Sequence, residues 1–237
     1  MRSFKIKLSA HQLHRWLMLL LAIPISIWAL TGSYFVLMDL SYIRSDHIKA
    51  AEVNYLAPDR FGYSIKEVYQ RYPEAEAISL KVLSQRSYYQ LKLKGETLLI
   101  DASNGKLVDL LSEQQAIAIA RRLQHQQSIS SAAKLLQITF ISEDPPSELA
   151  ERHLPVWKIE FDDSVSSTLY ISAKSGEVVT RRHDYWRLFD LFWKWHIMDY
   201  DDGEAIDNKL LLTTALISII AVVAGLLLVW QRRRRYL

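Results

Sequence analysis

The chain contains no cysteine, which removes disulfide scaffolds and thiolate-based metal or redox chemistry together. It also lacks H-E-x-x-H, a phosphate-cradling glycine loop and a G-x-S-x-G elbow, the short signatures of zinc peptidases, nucleotide enzymes and α/β-hydrolases. A dispersed Ser/His/Asp arrangement stays open, but catalysis by the chain alone is not the expectation. Charge is missing from two long stretches: Trp16 to Met38 and Leu210 to Trp230 hold no Asp, Glu, Lys or Arg. Each exceeds the roughly 18 to 20 apolar residues that carry a helix across a bilayer.

The charge that is present orients those spans. Arg2, Lys5, Lys7 and Arg15 precede the first, and Arg232, Arg233, Arg234 and Arg235 follow the second. By the positive-inside rule both ends lie in the cytoplasm and the middle of the chain lies outside it. The first apolar run is longer than the roughly 7 to 15 residues of a signal-peptide core, and no A-x-A site follows, so an uncleaved anchor is expected. The net charge of +3 mostly reflects these flanks and points to the lipid bilayer rather than to nucleic acid.

Between the spans the chain repeats itself. Leu98 to Val108 (LLIDASNGKLV) aligns without gaps to Leu169 to Val179 (LYISAKSGEVV). An alternating strand precedes each block, Tyr89-Leu91-Leu93 and Trp157-Ile159-Phe161, and the Asn-Gly or Ser-Gly within each block supplies a tight turn. Ser64 with Glu67, and Ser112 with Gln115, have capping-box spacing and predict a helix ahead of each meander. Further strands are expected at Ile78 to Leu83 and Ile138 to Ile141. The polar stretch Ser142 to His153, with Pro145-Pro146, reads as a surface excursion. One sheet of about three strands buries too little to stand alone, so the two halves are expected to pack together.

The resulting fold class is an α+β domain of two helix-plus-antiparallel-sheet halves anchored by two transmembrane helices. Its expected divisions are 1–15 (basic cytoplasmic end), 16–38 (first span), 39–111 and 112–182 (the halves), 183–208 (aromatic interfacial helix and acidic turn), 209–230 (second span) and 231–237 (Arg-rich tail). Within Arg181 to Trp195, Arg187, Asp190 and Lys194 fall on one helical stripe among Leu188, Phe189, Phe192 and Trp193, a composition suited to the membrane interface. Asp199, Asp201, Asp202, Glu204 and Asp207 follow. They fail the spacing of a calcium loop, since with Gly203 at its sixth position the first is Met198 and the twelfth Lys209. Asp199, Asp201, Asp202 and Glu204 remain candidates for weak cation capture, with the metal unknown. Asp207 or Asn208 is also placed to cap the second span.

His14 to Gly32 (HRWLMLLLAIPISIWALTG) resembles the first helix of the PepSY-associated transmembrane proteins. WKWHIMDYDD, around His196, resembles the segment in which that family introduces a later membrane helix by a histidine. The duplicated IDASNGKL and ISAKSGEV blocks are similar to the strand-turn-strand signature of PepSY domains. The resemblance covers nearly the whole chain. It implies a bacterial inner-membrane protein with a periplasmic central domain, in one of two settings. Larger relatives with four spans include iron-regulated membrane proteins and ferric-siderophore reductases that hold haem b through helix histidines. Isolated PepSY domains are associated with binding or inhibiting peptidases. This chain has two expected spans, so half of the reductase ligands are expected to be missing from it.

The resemblance therefore makes His14 and His196 candidate haem ligands, with His11, one turn before His14, as a substitute. They stand at opposite ends of a layer roughly 30 Å thick, whereas the two axial ligands of one haem stand a few ångströms apart. A homodimer, or a partner membrane redox subunit, could complete each pair. The bland reading is that both imidazoles, beside Trp16 and Trp195, sit in the interfacial belt without a ligand. Two roles stay open: an accessory or haem-bearing subunit in electron transfer linked to iron handling, and a tethered module that binds a peptide or protease or supports a membrane complex.

Overall fold

The computed structural model describes residues 9–45, 62–83, 86–125, 133–201 and 203–234. Among the sequence-based expectations, those for Arg2, Lys5, Lys7, Arg235 and Asp202 fall outside the described residues. The elements run α1 (Ala10–Leu37), α2 (Leu40–Ile43), α3 (Ile65–Arg71), β1 (Ala77–Leu83), β2 (Arg86–Leu93), β3 (Glu96–Asp101), β4 (Leu107–Val108), α4 (Glu113–His125), β5 (Lys134–Ile141), β6 (Val156–Asp162), β7 (Thr168–Ser172), β8 (Val178–Arg182), α5 (Asp184–Ile197) and α6 (Lys209–Arg234). They form two compact units, Met1–Leu40 with Leu188–Leu237, and Ser41–Arg187.

In the helical unit α1 and α6 are each long and apolar enough to cross a membrane. Both outrun the charge-free stretches, because Ser9 caps α1 with a full capping box to Gln12 and Asn208 accepts the amide of Leu211 at the start of α6. The caps satisfy amides that a helix terminus otherwise leaves unpaired. The residues α6 buries are small, Thr214, Ala221 and Ala224, and those of α1 are Leu21 and Thr31. Small side chains let helix backbones approach closely where lipid offers no hydrophobic drive to association.

The sheet unit holds two four-stranded antiparallel sheets in the orders β1-β2-β3-β4 and β5-β6-β7-β8. The repeat is real in three dimensions. Leu91 pairs with Leu98 and Tyr89 with Ile100 in the first sheet, while Ile159 pairs with Leu169 and Trp157 with Ile171 in the second. Gly105 and Gly176, at matched positions of the two turns, have φ of 71° and 69°, the left-handed region that disfavours other residues. Both predicted capping boxes form, between Ser64 and Glu67 and between Ser112 and Gln115.

Helix α3 packs through Val68 on one face of the first sheet, against Tyr89, Leu91 and Ile100. On its other face Tyr88 and Leu99 share a core with Ala116, Ile119, Ala120 and Leu123 of α4, and with Ile159, Phe161, Leu169 and Ile171 of the second sheet. Helix α4 therefore serves both sheets, and the expected packing of the halves is met by one continuous core. Burying side chains such as these contributes roughly 1.5 to 3 kcal/mol each.

Two expectations need adjustment. Strand β5 begins at Lys134, well before Ile138. Arg181 and Arg182 end β8, and α5 follows with His183 accepting the Trp186 amide through Nδ1 at 3.3 Å. The 142–153 excursion is not wholly solvated: Leu149 is buried in a core with Val156 and Tyr170.

Candidate functional site

Of the histidines, His14 and His196 are built into helix packing. The Nδ1 of His14 lies 2.9 Å from the carbonyl oxygen of Ala221. A carbonyl only accepts, so Nδ1 carries the proton and Nε2 holds the lone pair. The ring lies over Gly225, where an added Cβ would stand 3.0 Å from Cε1. Glycine is what lets the imidazole seat against α6.

The second clasp joins α1 to α5. The Thr31 hydroxyl is 2.7 Å from the Ile27 carbonyl, one turn back, and 2.8 Å from His196 Nδ1. A hydroxyl has one proton; directed at Ile27, it leaves the oxygen to accept from Nδ1–H. His196 is then the same tautomer as His14. The indole N–H of Trp28 donates to the His196 carbonyl at 2.7 Å, and Phe35 stands edge-on to the ring at 5.3 Å between centroids. Thr31, near the end of the His14 to Gly32 segment, and His196 of the later segment are thus two sides of one contact.

The clasps do not come together. From His14 to Thr31, α1 rises about 26 Å at roughly 1.5 Å per residue. His11 is exposed. Trp193 contacts Phe35 at 6.2 Å and donates to the Gly203 carbonyl, while Trp195 stacks near Phe192 and is 41% exposed. The donor set suits haem in kind: two imidazoles anchored through Nδ1 on oxygen, the arrangement that orients an Nε2 ligand. One such imidazole stands near each end of α1; were haem held there, each could offer Nε2 to it.

The acids after His196 shape a turn. Asp199 is buried, and its carboxylate accepts the amides of Ala205 at 2.9 Å and Asp201 at 3.4 Å. Asp201 and Glu204 are exposed, and the Asp201 carbonyl receives Lys194 Nζ. Asn208 ties the turn back to the Ile197 carbonyl at 2.8 Å. Among the described residues no group of three or more His, Cys, Asp or Glu is placed to hold a metal ion.

The sheet unit carries a second polar centre that the sequence did not announce. Glu148, in the excursion, receives Arg187 through Nε at 2.9 Å and Nη2 at 3.3 Å, and the Tyr170 hydroxyl at 2.6 Å. Arg187 also reaches Asp184 at 3.1 Å and Thr168 at 3.0 Å. Burial pushes the Glu148 carboxyl up, but Arg187 and Tyr170 outweigh it and hold it below its ordinary value. Burial, with the Glu148 carboxylate, pushes the Tyr170 hydroxyl far up. Arg187, partly buried, is held above its usual value by the two carboxylates. Beside the network lies a cavity of about 460 Å³, lined in part by Lys158, Glu160, Asp162 and Asp163.

Residues 110–182 carry a PepSY domain, matched to the family described as Peptidase propeptide and YPEB domain. The matched span contains α4 and the second sheet. No curated protein and no solved structure matches the chain. A PepSY domain on one chain with two helices long and apolar enough to cross a membrane is the class that fold and comparison define.

Proposed function

We propose that the chain is an inner-membrane subunit, not catalytic alone, that holds haem b at His14 and His196 together with ligands from a second copy or a partner redox subunit. Its termini lie in the cytoplasm and its PepSY halves in the periplasm, as the basic flanks favour. The observation that carries the reading is that both imidazoles are anchored through Nδ1 on oxygen. Each imidazole donates through Nδ1 to an oxygen of a neighbouring helix, so its only remaining ligating atom is Nε2. A helix-packing role alone does not need both rings fixed in the one tautomer that leaves Nε2 free for iron.

Haem bound there supplies a one-electron centre at each end of the membrane layer. The chain's own contribution is positional. Ala221, Thr31 and the Trp28 indole fix the rings, while Trp193 and Trp195 shield the periplasmic side. This serves electron transfer linked to iron handling, with the periplasmic domain presenting the acceptor. The test is haem content per chain for wild type, His14→Ala and His196→Ala after expression with ample haem. Loss of haem in both variants supports the assignment; a His196→Ala protein with its full complement would sink it.

A second reading has one observation of its own. The PepSY match and the outer edge of β5, unpaired among the described residues, with Leu136 70% exposed, suit a tethered module that captures a peptide or protease by strand addition. A structural role in a membrane complex would use the same surface.

A further inference from the structure

The internal repeat shows what each sheet face is for. In the first sheet the face bearing Tyr88 and Leu99 is covered by α4. The matched face of the second sheet bears Val156 and Tyr170, since Tyr170 occupies in its block the place of Leu99. Arg187, in the first turn of the following helix α5, reaches its Thr168. Leu149 and Leu154 cover its centre, and the remainder opens into the cavity of about 460 Å³ lined by Lys158, Glu160 and Thr168. That volume falls within the roughly 300 to 1,000 Å³ of small-ligand sites.

The charges of this notch are unevenly matched. Lys158 is paired with Glu160 at 2.8 Å, and Arg187 with Glu148 and Asp184. Asp162 and Asp163 have no cationic partner among the described residues, although Asp163 accepts the amides of Val165 and Ser167. Leu136 and Pro146 add apolar lining. Carboxylates beside apolar lining match a side chain with a long aliphatic stem and a cationic tip, and not a bare metal ion.

We infer that the notch receives a lysine or arginine side chain from a basic segment of a partner polypeptide, lying over the sheet face that the repeat leaves half covered. The inference is independent of haem. It deepens the tethered-module reading by naming the partner's chemistry and its place.

The experiment uses the full chain in nanodiscs of neutral phosphatidylcholine, so that the bilayer does not attract the probe. A fluorescent pentapeptide, acetyl-Gly-Lys-Gly-Arg-Gly-amide carrying a dye on its terminus, is titrated at low salt and followed by anisotropy. The norleucine-substituted peptide is the control. The expected result is saturable binding of the basic peptide only, weakened about tenfold by Asp162→Asn with Asp163→Asn. Asp162→Asn alone, at an exposed position, gives an intermediate loss and covers the case in which the double variant misfolds. Neutralising exposed acids elsewhere, Glu96→Gln with Asp109→Asn, leaves binding unchanged. Absent binding, equal binding of both peptides, or indifference to Asp162→Asn overturns the inference. Binding by backbone strand addition at β5 would show as equal affinity for both peptides, so failure here is distinguishable from failure of the tethered-module reading.

Discussion

The Nδ1 of His196 lies 2.8 Å from the Thr31 hydroxyl, whose own proton points to Ile27 one turn back. This short chain of donors fixes which imidazole nitrogen is free and locks α5 to α1.

Thr31→Val removes the acceptor while keeping the shape of the side chain. The expected cost is about 0.6 to 2 kcal/mol, the range for interhelical hydrogen bonds in membranes, with Thr31→Ser close to wild type. Nitrogen-15 spectra of labelled His196 should show the Nδ1–H tautomer in wild type and a mixture in the valine variant. An unchanged tautomer in Thr31→Val would remove Thr31 from the account.

Gly225→Ala and Gly32→Ala separate the two clasps. A Cβ at Gly225 would stand 3.0 Å from His14 Cε1, whereas one at Gly32 would meet His196 Cε1 at an ordinary 3.7 Å. The first substitution should displace the His14 ring, cost about 1 to 3 kcal/mol as an overpacking effect and lower the thermal midpoint in detergent. The second should leave the midpoint nearly unchanged. Equal effects would mean that His14 is not seated on α6 as described.

Much of this organisation is legible in the sequence because it depends on short-range pattern. The two long apolar helices, both capping boxes and the repeated turns are carried by residues within a few positions of one another. Strand β5 was only half legible, since its register shifts between Leu135 and Gln137 and a bulge breaks the period-two alternation that marks a strand. The buried role of Leu149 was hidden in a polar, proline-bearing segment. The bond between Glu148 and Arg187 joins residues 39 positions apart, which no local rule reaches. Likewise His14 and His196 could be singled out as residues, but their partners Ala221 and Thr31 could not be assigned without the packing.

Glu148→Gln tests the polar network of the sheet unit. It keeps the shape but removes the charge that faces Arg187, and an expected loss of about 1 to 3 kcal/mol follows from the strength of hydrogen bonds to charged groups. Because the folded carboxyl titrates below its ordinary value of 4.5, its stabilisation is present above that value and disappears as pH falls through the lowered folded value. The gap between wild type and Glu148→Gln in chemical denaturation should therefore be full at pH 7 and shrink below about pH 4.5. A gap that is constant with pH would assign Glu148 a packing role only.

The most direct test of the central claim is a visible absorption spectrum of the detergent-purified full chain, expressed with ample haem, before and after dithionite. The account predicts sharp reduced α and β bands, with haem near stoichiometric with the chain. A featureless spectrum would contradict it and leave His14 and His196 as helix clasps in a tethered PepSY module.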